Sequence, residues 1–358
     1  MIAARVQAPE RGGAPRDGAA LWDAVHELVS GADTEGIRAH KLGAVAARLL
    51  RAHGERVPPG LAADERGAAA AVVMARPLLE TVRSVCPGQL VLVKGPEVAR
   101  LYPGSARTFG DVDLLAAEAQ AAQRALMRAG FVEVDDPEAF LDHHHLRPLK
   151  SPTIGLKVEF HTAPLWPAGT KAPPLEEILA RSVAAGVEVD GISAPDPVHH
   201  ALILSAHAWS HDPLRTLRDL VDIAAVSLAC SEAELAETAE AWGIPKIWRT
   251  TQAAIQALLG DGPTTFPIRV WARHLLSVRE RTVLDSQLMR WLHVFWELPP
   301  AAAVADLRSA AQMTLLPASG ESWREKLART GRGLRHPGEP MSTHLMWSHE
   351  VRRRRARS

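Results

Sequence analysis

The chain has 358 residues, enough for about two ordinary domains, and its 47% hydrophobic and 23% charged residues give the balance of a soluble globular protein. Its 41 basic and 41 acidic residues cancel, which excludes a whole-molecule positive field for gripping nucleic acid and leaves only a local patch open. With only Cys86 and Cys230, a disulfide framework and a four-cysteine zinc site are excluded too, and both thiols read as buried and reduced.

Residues 1–20 are rich in Ala, Gly, Pro and Arg, lack an apolar core of signal-peptide length, and read as a disordered start. Leu21, Trp22, Val25, Leu28 and Val29 share one helical face, and Leu42, Val45, Ala46, Leu49 and Leu50 share another. Ala68–Val85 is a third helix candidate, stopped by Pro87-Gly88, so 21–86 forms an N-terminal helical region. Its apolar run Ala68–Ala75 is too short to span a bilayer and nothing longer follows. The expectation is a cytoplasmic protein with no membrane partner.

The apolar run at Leu90–Val93 reads as a buried strand ending in Lys94-Gly95. A short helical turn from Pro96 to about Tyr102 and a loop at Pro103–Ser105 come next. After Gly110, a second strand carries Asp111 and Asp113 and feeds a helix from about Ala117 to Ala129, which Gly130 stops. Phe131–Val134 is a further strand, and His143–Leu149 with Leu156–Phe160 forms a hairpin around the turn Ser151–Gly155.

Residues 87–194 thus make a small mixed α/β (α+β) domain. From 195 to 319 the pattern is helical, with Leu217, Leu220, Val221, Ala224 and Leu228 on one face and Leu284, Leu288, Trp291, Leu292 and Phe295 on another. Trp209, Trp242, Trp248, Trp271, Trp291 and Trp296 read as core and groove walls. Residues 320–358 read as a poorly ordered basic tail. Its run Arg352–Arg357 carries no interleaved aromatic residue and reads as solvated.

Side chains alternate along a strand, so Asp111 and Asp113 point the same way. Adjacent carboxylates repel unless a cation holds them, and for hard oxygen ligands near phosphate that cation is usually Mg²⁺. Gly95, just after Lys94, lets a backbone approach a phosphate closely. Arg107, in the loop before the acidic strand, carries a guanidinium suited to bidentate phosphate binding. In Lys157–His161, alternation puts Glu159 and His161 on one face and Val158 and Phe160 on the other, toward a core. The pattern fits metal-dependent phosphoryl-type transfer; the bland alternative is a pair of exposed strand-end aspartates.

In order, Lys94-Gly95, Arg107, Gly110-Asp111-Val112-Asp113-Leu114-Leu115, a helix ending in Gly130-Phe131, and Val158-Glu159-Phe160-His161 resemble the nucleotidyltransferase-fold superfamily of DNA polymerase beta type. More closely, the chain is similar to a poorly characterised bacterial nucleotidyltransferase-like family. The stretch from Pro195 to Val226, with His207, Arg215 and Asp222, resembles that family's helical signature.

The resemblance implies that Asp111, Asp113 and Glu159 are catalytic and ligate metal, two Mg²⁺ ions being possible. It also implies that Lys94, Gly95, Arg107 and Gly110 bind the nucleotide. An NTP would give its NMP to a small-molecule or peptide or protein acceptor by in-line displacement, releasing pyrophosphate. One departure stands out. Pro96 follows Gly95 where the superfamily usually has Ser or Gly, and proline has no backbone N–H for a phosphate, which leaves that contact to Lys94 and Arg107.

His143, His144, His145 and His161 suggest zinc, yet neighbouring strand residues face opposite sides and no Glu-x-x-His spacing accompanies them. His161 is better read as orienting Glu159 or touching the acceptor. His207, with His199, His200 and His211, reads as an interdomain polar contact or as acceptor recognition. Arg215 with Asp219 and Arg218 with Asp222 are spaced as ordinary helix-surface pairs, while the resemblance allows Arg215 and Asp222 a place at the cleft, beside the metal ligands or the acceptor. Two other functions compete with the transferase: a catalytically inactive binding or scaffold protein, which Pro96 favours, and a histidine-based metal hydrolase. RNA as an acceptor is disfavoured by the neutral balance and kept open by the arginine tail.

Overall fold

A computed structural model of the protein describes residues 17–134, 145–167, 169–317 and 321–335. The N-terminal helices are α1 (Gly18–Ser30), α2 (Thr34–Ala39), α3 (Gly43–Ala52) and α4 (Pro59–Val85). Asp17 caps α1 by accepting from the Ala20 N–H, and Leu21, Val25 and Val29 bury the expected face. Helix α4 begins at Pro59, well before the expected Ala68, with prolines suited to a helix start. Its first turns lack an apolar signal because they are tied to α2 and α3 by Arg38–Asp64 and Arg51–Glu65 ion pairs.

The sheet follows: β1 (Leu90–Leu92), α5 (Pro96–Ala99), β2 (Asp111–Leu115), α6 (Ala119–Arg128), β3 (Val132–Glu133), β4 (Leu149–Lys150), β5 (Lys157–His161), α7 (Leu175–Ala180), β6 (Val183–Ala184) and β7 (Ile192–Ala194). The seven strands lie in the order β3-β4-β5-β2-β1-β7-β6. β2 pairs parallel with β5 and antiparallel with β1, so the sheet is mixed and the α+β expectation holds. The hairpin turn between β4 and β5 is closed by Ser151 Oγ, which accepts from the Thr153 and Ile154 N–H groups. His143 and His144 lie outside the described residues; His145 forms a single bridge to His161.

One face of the sheet, with Leu90, Leu92, Val112, Leu114, Val158 and Phe160, packs on Leu78, Leu79 and Val82 of α4 and Leu126 of α6. The other face, with Val91, Val93 and Leu115, joins a second core shared with α1, α3 and the helical half. That half comprises α8 (Pro197–His211), α9 (Leu217–Ser227), α10 (Glu232–Ala241), α11 (Pro245–Leu259), α12 (Phe266–Trp271), α13 (Arg273–Leu276), α14 (Val283–Leu292), α15 (Val294–Glu297) and α16 (Pro300–Leu315). Helices from both ends of the sequence therefore close over the same sheet face. Trp209, Trp242 and Trp248 are buried in that core.

Within the segment expected to be poorly ordered lies a further helix, α17 (Trp323–Arg335). Its start is fixed by a reciprocal cap: Ser322 Oγ accepts from the Glu325 N–H, and Glu325 accepts from the Ser322 N–H. Both cysteines are free as expected; Cys86 is buried but Cys230 only half-buried, and burial pushes each thiol up to about 12. Among the described residues no helix is long and apolar enough to cross a membrane.

Candidate active site

Parallel pairing sets Asp113 of β2 opposite Glu159 of β5, and Leu115 opposite His161. Strand alternation then presents Asp111, Asp113, Glu159 and His161 on the face toward α8, while Val112, Leu114, Val158 and Phe160 are buried beneath. Asp113, Glu159 and His161 each bring one donor atom to within 4.8 Å of the other two. His161 Nε2 lies 3.0 Å from Asp113 Oδ1. Asp111, the first residue of β2 and partly exposed, stands at the mouth of this group rather than in it. The compact donor set therefore contains the imidazole in place of the carboxylate expected there, because the register puts His161 diagonally beside Asp113.

The three carboxylates oppose one another. Burial, then the charges of Asp113 and Asp111, push Glu159 up to about 8. Burial and the Asp113 charge raise Asp111 as well. Asp113 goes the other way. Burial alone would raise it, but the His161 hydrogen bond and the Lys94 charge hold its carboxyl well below the usual range. Lys94, at the end of β1, hydrogen-bonds through Nζ to His207 Nε2 of α8, and burial lowers its ammonium despite the attraction of Asp113. Lys94, Asp113, His161 and His207 meet Val93, Leu115 and Ile203 around a cavity of about 20 Å³, the room of roughly one water or ion. Two carboxylates and an imidazole suit a divalent cation such as Mg²⁺ or Mn²⁺.

Gly95 has φ +65°, and a Cβ there would sit 2.8 Å from the Asp111 carbonyl oxygen. Only glycine lets this turn lie against the acidic strand. Pro96 opens α5, so its missing N–H falls at a helix position that needs no partner.

Residues 34–260 match the profile of a family described as uncharacterised nucleotidyltransferase. The chain belongs to that family. No curated protein and no solved structure matches it. The matched stretch runs from α2 through α11, so it takes in the sheet, the carboxylates and the first helices of the second half. Membership in this nucleotidyltransferase family supports transferase activity in general terms, with an NTP as the implied substrate.

Within the matched stretch, Arg107 is engaged by the protein itself. It is 4% exposed and grips Asp222 of α9 in bidentate fashion, Nε to Oδ1 at 2.7 Å and an Nη to Oδ2 at 2.6 Å. The Tyr102 hydroxyl donates to the same Asp222 oxygen at 2.6 Å. Burial alone would raise Asp222, but the charge and hydrogen bonds of Arg107, with the Arg218 charge and the Tyr102 hydroxyl, together lower its carboxyl. The expected phosphate ligand is thus a strut joining the loop before β2 to the helical half. Nothing local announced it, since its partner lies 115 residues away.

The remaining expected residues divide. Gly110 is exposed with open space beside its Cα, and its carbonyl accepts from the Lys157 N–H. His207 reaches the cleft through Lys94. His200 instead bonds the Val93 carbonyl at 2.6 Å and holds the end of β1. Arg215 is exposed and lies 3.9 Å from Asp212 rather than pairing with Asp219; Arg218 lies 3.5 Å from Asp219 rather than pairing with Asp222. His145, one of the histidines that suggested zinc in the sequence, has its ring 5.1 Å from that of His161.

Proposed function

We propose that this protein moves an NMP from an NTP to a small-molecule or protein acceptor, releasing pyrophosphate, with divalent metal held by Asp113, Glu159 and His161 and aided by Asp111. The observation that carries this reading is the parallel β2–β5 register, which sets half-buried Glu159 opposite buried Asp113, where burial and the neighbouring carboxylates push Glu159 up to about 8. A protein with no cation to hold has no use for carboxylates built to repel. The ion, when bound, would neutralise charge on the phosphates and help an acceptor hydroxyl ionise. The chain's own groups do the rest. Asp113 stays ionised as an anchor, Glu159 gives up its proton as a cation arrives, and Lys94 supplies positive charge beside them.

A binding or scaffold role without catalysis draws on Pro96 and on the engagement of Arg107 with Asp222. The self-opposed carboxylates weigh against it. The test is transfer of labelled NMP from each of the four NTPs with Mg²⁺ or Mn²⁺, to the protein itself and to small hydroxyl acceptors. Label transferred by wild type and abolished in Asp113→Ala supports the reading; label retained in that variant refutes it.

A further inference from the structure

Two phosphate contacts expected of the cleft are lost: Pro96 has no N–H, and Arg107 is spent on Asp222. Two segments distant in sequence bring three other cations together, and two of these, Lys41 and Arg218, act on Asp111. The α2–α3 turn is pinned to the start of α9 by His40. Its carbonyl accepts from the Arg218 N–H at 3.3 Å, and its Nδ1 accepts from the Leu217 N–H at 3.4 Å. The next residue, Lys41, takes the left-handed conformation with φ +58°, uncommon for a side chain other than glycine, Asn or Asp. This turn leaves the Lys41 side chain exposed and close enough to Arg218 and Arg215 that their charges repel its own.

These cations are poorly neutralised. Among the described residues Lys41 has no carboxylate within ion-pair distance. Arg218 Nε is buried without a hydrogen-bond partner, and the nearest carboxylate to that guanidinium is Asp219 at 3.5 Å, itself engaged by Thr216 Oγ1 at 2.7 Å. Arg215 shares Asp212 with Arg281 and sits 3.9 Å from it. Asp111, at the mouth of the acidic group, is within electrostatic reach of both Lys41 and Arg218. Like charges converging from two segments beside a metal-type carboxylate cluster describe one half of an anion site.

We infer that Lys41, Arg215 and Arg218 form a polyphosphate-binding wall, which takes the triphosphate tail of the nucleotide in place of the Gly95 turn and Arg107. The assignment rests on the transferase reading for its biological ligand, and its own chemistry can be tested apart from it. Calorimetric titration with inorganic tripolyphosphate, without metal, is the experiment. Wild type binds; Lys41→Gln and Arg218→Gln each weaken binding about tenfold, as expected for losing one charge-assisted contact, and Lys41→Arg restores it. Lys41 is exposed, so its substitution leaves the melting temperature unchanged and cannot act through misfolding.

Arg249→Gln, which removes an exposed charge on α11, leaves affinity unchanged. Equal affinity of Lys41→Gln, Arg218→Gln and wild type overturns the assignment, as does an equal loss in Arg249→Gln or no binding by wild type. The two readings fail separately. NMP transfer with tripolyphosphate affinity insensitive to Lys41 and Arg218 removes the wall and keeps the transferase. Binding that depends on both residues, with no transfer from any NTP, does the reverse.

Discussion

The acidic strands and the Arg107–Asp222 junction both bury charge under the helical half, and they do so in opposite ways. At the junction every charge has its counterpart: Arg107 meets Asp222 through two hydrogen bonds and Tyr102 adds a third. On β2 and β5 the charges are alike, and two of the three carboxylates are raised by burial and by one another. A satisfied cluster holds the molecule together. An unsatisfied one is held together by the molecule, at a cost in stability, and waits for a ligand that removes the conflict. That contrast separates residues of similar appearance in the sequence.

Stability measurements by urea unfolding can break the contrast. Asp222→Ala leaves Arg107 buried and uncompensated, and a loss of about 3–5 kcal/mol is expected. Gly95→Ala forces a side chain into a left-handed backbone against the Asp111 carbonyl and should cost about 1–3 kcal/mol, visible in the same experiment. Glu159→Gln should instead stabilise the metal-free protein at pH 8, by about 1–2 kcal/mol, because it removes a charge that burial and its neighbours oppose. Equal losses for Asp222→Ala and Glu159→Gln would erase the distinction.

A smaller effect sharpens it. Burial and its neighbours push Glu159 up to about 8 when folded, against the ordinary 4.5 of an exposed glutamate. The folded state therefore binds more protons between these values, and its stability must fall as pH rises through that window. The melting temperature of the metal-free protein should drop by about 5 °C across it, and Glu159→Gln should show a flatter profile. An identical slope in both would place the titration elsewhere.

How much of this was legible depended on whether the signal was local. Alternation alone put Asp111 with Asp113 and Glu159 with His161, and it turned Val158 and Phe160 toward the core; the structure agrees. The order of motifs also identified the family. Strands β6 and β7 are too short to carry a period, and the first turns of α4 present Leu61 among residues that form surface ion pairs rather than a continuous apolar stripe. What the sequence left out of the site are pairings across long sequence distance. Arg107 looked like a free guanidinium because its carboxylate lies in α9, and His161 looked peripheral because only the β2–β5 register sets it on Asp113. Residue type announced charge; only the fold announced which charges were already matched.

The proposed divalent-ion site of Asp113, Glu159 and His161 is open to direct measurement. Calorimetric titration of Mn²⁺ into the protein at pH 7, repeated in buffers of different ionisation enthalpy, tests it most directly. Saturable binding is predicted, with about one proton released per ion as Glu159 ionises, and both signals lost in Asp113→Asn. Unchanged affinity in Asp113→Asn, or binding with no proton released, would contradict it.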